Sequence, residues 1–192
     1  MVQYKENILI KKKKGWQQLI MMFGEPHKFA IFIKVVEEWN DKQCIANFYN
    51  GILFYSVNGK LFPNEIITMP LGHEIASLKL KLNNILIDTE LFNMELKSLV
   101  EKLIYIRLIE SEDTYNKYFF DITPNSSNEC ENDFKIFAVS NGYQVRLIGV
   151  NNYNYCDVIN NNCNIDNIGI YEAFISKTEL DDLILKLDLA KL

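Results

Sequence analysis

Residues 23–63 read FGEPHKFAIFIKVVEEWNDKQCIANFYNGILFYSVNGKLFP, and this stretch decides the fold. Its segment 29–36, FAIFIKVV, is β-branched and aromatic, with no Gly or Pro. Side chains alternate along an extended chain, so Phe29, Ile31, Ile33 and Val35 share one face and Ala30, Phe32, Lys34 and Val36 the other. Apolar residues on both faces predict a central strand covered on both sides. Segment 52–57 repeats the pattern and runs into Asn58-Gly59, a dipeptide that favours the positive φ angles of a two-residue hairpin turn. Asn50-Gly51 offers a second such turn, closing a hairpin onto 44–49. The simplest reading is an antiparallel meander that ends near Phe62.

Outward from this stretch, Gly24-Glu25-Pro26 is a turn that leads into the first strand. Residues 1–20 differ from the rest of the chain: five lysines oppose one glutamate, a net +4 that leaves −9 on the remainder of a chain whose total is −5. The apolar run after them is too short for a signal peptide and lacks a small-residue cleavage site. We read 1–20 as a basic extension outside the fold, either a flexible arm or a start placed upstream of Met21 or Met22, and 21–192 as one domain. The chain is long enough to bury a core without disulfides or metal. It has no apolar run of transmembrane length.

Beyond Pro63, residues 73–83 fit a short helix or a strand. Leu96, Leu99, Val100, Leu103 and Ile104 recur at helical spacing and predict an amphipathic helix over about 90–102, with 105–109 continuing as a strand. Residues 117–123 read as a strand that ends at Pro124. Segments 134–140 and 143–148 flank Asn141-Gly142 and predict a hairpin with a two-residue type I′ turn. Residues 151–167 hold eight asparagines in 17 positions and read as a surface loop. A last strand over 169–175 precedes Ser176-Lys177-Thr178-Glu179, a capping box. Leu180, Leu183, Ile184 and Leu187 then line one side of a C-terminal helix. The fold class is therefore α+β: a largely antiparallel sheet built from hairpins, with an amphipathic helix in the middle and one at the C-terminus.

No nucleophile elbow, phosphate-binding loop, zinc-protease helix or dinucleotide glycine pattern is present. His27 and Cys44 are the one pair that can be imagined as nucleophile and base, and spacing does not bring them together. Two histidines and four dispersed cysteines, Cys44, Cys130, Cys156 and Cys163, point to free thiols in a reducing cytosol, with no zinc site and no cofactor. The acidic balance argues against nucleic acid or an anionic membrane as partner.

Two acidic stretches remain. Glu37, Glu38 and Asp41 surround Trp39, which either caps the edge of the core or anchors a partner. Residues 110–133 carry seven carboxylates against Lys117, a net −6. They form either a solvated surface or one that steers a basic partner. Glu37, Glu38, Trp39, Asp41, Glu110, Glu112, Asp113 and Tyr115 are the candidate contact residues.

Met22-Phe23-Gly24-Glu25-Pro26, Phe29-Ala30-Ile31, Glu37-Glu38-Trp39-Asn40, Gly51-Ile52 and Asn58-Gly59 with Pro63 together resemble the immunity protein 42 family of bacterial polymorphic toxin systems. Segment 171–187 is similar too. Glu25 stands where the family pattern has Asp. The resemblance implies a non-catalytic cytoplasmic protein that binds the C-terminal domain of a cognate secreted toxin and blocks it. The acidic charge is compatible with a basic nuclease as that toxin. Two other readings are a small-molecule binder or enzyme using a cleft between sheet and helices, and a structural subunit with a self-complementary face. Oligomeric state is not legible.

Overall fold

The computed structural model describes residues 7–8, 20–40, 49–109, 119–125, 134–151 and 168–189. Strands from the stretch 23–63 form the middle of a six-stranded antiparallel sheet. Its strands are β1 (Asn7–Ile8), β2 (Ile20–Gly24), β3 (Phe29–Val35), β4 (Asn50–Val57) and β5 (Lys60–Phe62) in that order, with β6 (Met69–Pro70) pairing to β4. The expected meander is present in part, as β3, β4 and β5; β3 pairs directly with β4, and the strand expected over 44–49 lies, except for Tyr49, outside the described residues. The sequence pattern does not reveal the strand before it: β2 pairs with β3, placing Phe23 opposite Ile31, and Asn7–Ile8 from the basic extension pairs with Met21 and Ile20.

The register explains the core. Phe23, Ile31, Tyr55 and Phe62 lie in one row across four strands, and all are buried on the inner face. The other face is less covered than β3's composition predicts. Ala30 and Val36 are buried, whereas Phe32 and Lys34 are only half-buried.

A second sheet, β7 (Phe134–Ser140), β8 (Gln144–Asn151) and β9 (Gly169–Ser176), faces the first. Ile136, Ala138, Val145, Leu147, Ala173 and Ile175 join the same core from this side. Phe62 is the wedge between the sheets, its ring 6.5 Å from Phe134 and 6.0 Å from Tyr171. The helix α1 (Leu71–Asn83) settles the ambiguity of 73–83. It adds Leu71, Ile75, Leu78 and Leu82 to the core, and α4 (Lys177–Leu189) adds Leu180, Leu183, Ile184 and Leu187, the stripe read from the sequence.

The amphipathic segment is two helices: α2 (Thr89–Asn93) and α3 (Leu96–Ile109). They pack on the outer face of the second sheet, where Leu91, Leu99 and Leu103 meet Phe137, Val139 and Ile148. No strand forms at 105–109, because α3 continues through it. The break is held from within the segment, where Glu95 Oε2 accepts from Ser98 N–H at 3.0 Å and caps α3, and from outside it. Arg146 of β8, almost fully buried, donates from Nη1 to the carbonyls of Phe92 (3.0 Å) and Met94 (2.6 Å), and so captures the carbonyls that would continue α2. The same guanidinium pairs with Glu172 at 2.7 Å and lies 5.6 Å from the centre of the Phe174 ring.

Two turns differ from expectation. Gly51 lies inside β4 opposite Val35. A Cβ there would meet the Lys34 carbonyl oxygen at 2.2 Å and Leu71 Cδ1 at 2.5 Å, so close approach rather than a turn requires the glycine. The β7–β8 hairpin is present, but Ser140 pairs with Val145 and four residues bridge them. Only Gly142 of that bridge has a positive φ, +92°, so the turn is not type I′. Asn58-Gly59, by contrast, has φ 51° and 78°, as a type I′ turn requires. The strand expected over 117–123 is reduced, within 119–125, to isolated bridges from Phe119 to Ile85 and from Asp121 to Phe137.

Candidate functional site

Where β3 ends, the acidic loop of the sequence becomes a single 3-10 turn, Glu37–Trp39. Trp39 N–H donates to the Val36 carbonyl at 3.0 Å and Asn40 N–H to that of Glu37 at 3.1 Å. The turn is fastened by two asparagine side chains. Asn40 Nδ2 donates to the carbonyls of Val36 (2.7 Å) and Asn50 (3.0 Å), and its Oδ1 accepts from Asn50 N–H at 2.6 Å. Asn50 Nδ2 in turn donates to the Trp39 carbonyl at 3.2 Å. Glu37 and Glu38 are exposed, and Trp39 is 38% exposed. The indole thus stands at the boundary between core and solvent on a backbone held from both sides. Asp41, Glu110, Glu112, Asp113 and Tyr115 lie outside the described residues, as do all four cysteines.

Of the carboxylates in 110–133, the described Asp121 is withdrawn from the surface. It pairs with Arg107 of α3 at 2.7 Å, and both side chains are largely buried. Its other oxygen accepts from Thr123 N–H at 2.9 Å. The neighbouring residues are held by α1. Glu74, which is 1% exposed, accepts from Asn125 N–H at 2.8 Å; Lys81 Nζ donates to the Thr123 carbonyl at 2.7 Å and to Asn125 Oδ1 at 2.8 Å. Thr123 Oγ1 accepts from Ile136 N–H at 3.0 Å. Burial lowers the Lys81 ammonium below its ordinary value, against the pull of Asp121 and Glu74. Burial also raises the Tyr55 phenol well above its ordinary value, and Glu74 and Asp121 push it the same way. Each charge here has an opposite partner or an amide, which makes the cluster a brace for 121–125. Sequence reading missed it because its members come from α1, α3 and 121–125, with no local pattern to link them.

A groove of about 400 Å³ runs between the β2–β3 turn and α4, with Met22, Phe29, Ile175 and Leu183 among its lining residues. Four of its five charged residues pair with one another, Lys28 with Glu179 at 2.7 Å and Lys186 with Asp182 at 2.8 Å; the fifth is Glu25. The Lys28 contact, followed by the amide and hydroxyl of Ser176, holds the Glu179 carboxyl down at about 2. Among the described residues, no histidine lines the groove. It is a cleft of the kind considered from the sequence, and Lys28, Glu179, Asp182 and Lys186 are engaged in its ion pairs and the capping box. Among the described residues, no group of three or more His, Cys, Asp and Glu could hold a metal ion, and no helix is long and apolar enough to cross a membrane.

Comparison with known proteins adds three findings. A family model described as immunity protein 42 matches residues 21–189. No curated protein matches the chain. Among solved structures, the crystal structure of CdiI from Burkholderia dolosa AUO158 is similar in fold: TM-score 0.61 and 23% identity, covering 90% of this chain and 100% of that one.

Proposed function

The chain belongs to the immunity protein 42 family, and on that premise we propose that it neutralises a cognate toxin domain by stoichiometric association, without a reaction of its own. It is an immunity protein of a toxin system, so a toxin is the partner that this function implies. The observation that carries the reading is the family match over 21–189, which makes that range the immunity unit in our proposal. The geometry supports it. The exposed Glu37-Glu38-Trp39 turn is fastened before any partner arrives, so little ordering entropy is lost on binding. Trp is also among the residue types that dominate interface energetics.

In this reading Glu37, Glu38 and Trp39 contact the toxin together with Asp41, Glu110, Glu112, Asp113 and Tyr115. The net charge of −5 steers a basic toxin domain, such as a nuclease, by long-range attraction. The protein acts in the cytoplasm of the cell that makes the toxin. The groove beside α4 engages Lys28, Glu179, Asp182 and Lys186 in ion pairs and leaves one further carboxylate, Glu25, with no histidine in its described lining to work beside it, which disfavours the small-molecule reading.

The test is co-expression with the toxin domain encoded beside it. Growth should be rescued by the wild-type chain and lost with Trp39→Ala combined with Glu37→Lys and Glu38→Lys. Rescue that survives the triple substitution would remove this turn from the contact surface. No rescue by the wild type would sink the functional reading itself.

A further inference from the structure

The β7–β8 hairpin ends in a turn that is more tightly bonded than its length requires. Asn141 N–H donates to the Gln144 carbonyl at 3.1 Å, and Asn141 Oδ1 accepts from Tyr143 N–H (2.9 Å) and Gln144 N–H (2.8 Å). Ser140 Oγ donates to the Gln144 carbonyl and accepts from Gly142 N–H, each at 2.9 Å. From outside, Lys177 N–H donates to the Tyr143 carbonyl at 2.8 Å, and Asp88 N–H donates to that of Ser140 at 2.8 Å. Tyr143 therefore has both backbone polar groups fixed. Yet its side chain is 84% exposed, the most exposed large hydrophobic among the described residues.

A solvent-facing tyrosine adds little to folding, and a fixed backbone beneath it removes the loop-ordering part of the entropy that binding costs. Tyrosine brings a large rigid contact area with only two side-chain torsions to order. Exposed Ile87, bridged to Ser140, and Phe174 on β9 place further apolar surface around the same hairpin end. The charged residues tied to this end by backbone hydrogen bonds are Asp88, on Ser140, and Lys177, on Tyr143, with the Lys177 ammonium paired to Asp181.

We propose that Tyr143 is an aromatic anchor for the toxin domain, its ring seated in an apolar pocket of that domain. This deepens the proposed function and rests on its premise that a toxin domain is the partner. Tyr143 follows the far end of β7, and seven residues at about 3.3 Å each place it roughly 20 Å from Phe134.

The experiment measures binding of the purified cognate toxin domain to the wild type, Tyr143→Ala, Tyr143→Phe and Asn141→Ala, with melting temperature and the size of the free protein as companion readings. Tyr143→Ala should weaken binding at least about tenfold. Its melting temperature should stay within about 2 °C, since the side chain contributes little to packing. Tyr143→Phe should bind within about threefold of the wild type, because the ring carries the contact. Asn141→Ala should weaken binding by loosening the turn under an intact tyrosine. If Tyr143→Ala binds as the wild type does while substitutions at Glu37, Glu38 and Trp39 weaken it, this inference is wrong and the functional reading stands. Failure of the wild type to bind at all overturns that reading and this inference with it. Tyr143→Ala that breaks up a homodimer but leaves toxin affinity unchanged would assign the patch to self-association and also refute the proposal.

Discussion

Phe62 meets the second sheet at Gly149. A Cβ on Gly149 would lie 2.4 Å from two atoms of the Phe62 ring, which is fully buried and cannot retreat without displacing Phe134 or Tyr171. Gly149→Ala should therefore lower stability by about 1–3 kcal/mol, the usual cost of overpacking a core, as read from urea denaturation. Glu179 makes a different prediction. Lys28 and Ser176 hold its carboxyl at about 2, below the ordinary value of an unfolded glutamate, near 4.3. A depressed folded-state pKa means the contact stabilises fully above the unfolded value and is lost as pH falls through the folded one. Glu179→Gln should thus flatten the decline of stability between about pH 4.5 and 2 relative to the wild type, in parallel melts across that range. Because the pair is well exposed, the difference should also shrink in high salt. An unchanged acid limb would show that this carboxylate is no freer of its proton in the folded protein than in the unfolded one.

The elements show what the sequence could and could not reveal. One dipeptide, Asn-Gly, occurs three times in the chain and takes three conformations. At 58–59 it closes the two-residue turn that its preferences indicate. At 50–51 it lies within β4, because the Lys34 carbonyl and Leu71 approach where a Cβ would be. At 141–142 the side chains of Ser140 and Asn141 organise a longer turn; a serine before the dipeptide was the signal available for it. The capping box at Ser176 and the stripe on α4 were legible because they are local and periodic. The α2–α3 break was not, because the local Glu95 cap is joined by Arg146 of β8, more than 50 positions away, which binds the Phe92 and Met94 carbonyls. Arg146→Met should cost about 3 kcal/mol or more, since it leaves two backbone carbonyls and Glu172 without their donor. Amide exchange should accelerate most in α2 and the start of α3 if the guanidinium does join these elements. A uniform loss of protection across both sheets would contradict that role.

For the molecule as a whole, composition and hairpin pattern were enough for the α+β class, and the segment from Met22 to Pro63 was enough for the family. The division into two facing sheets was not legible, because it depends on which strand edges stay unpaired. The candidate surface was legible only in part. Glu37 and Glu38 are exposed and Trp39 stands at the edge of the core, an outcome that fits both readings of the indole, whereas Asp121 has its charge absorbed by Arg107. If charge steering operates as proposed, the association rate with the toxin domain should fall steeply between low and physiological salt while the dissociation rate changes little. The central claim, that the protein works by occupying its partner and not by chemistry, is tested most directly by titrating a fixed amount of active toxin domain with it. We predict that toxin activity falls linearly and reaches zero at one equivalent. Complete inactivation by a small fraction of an equivalent, or full activity at a large excess, would contradict the account.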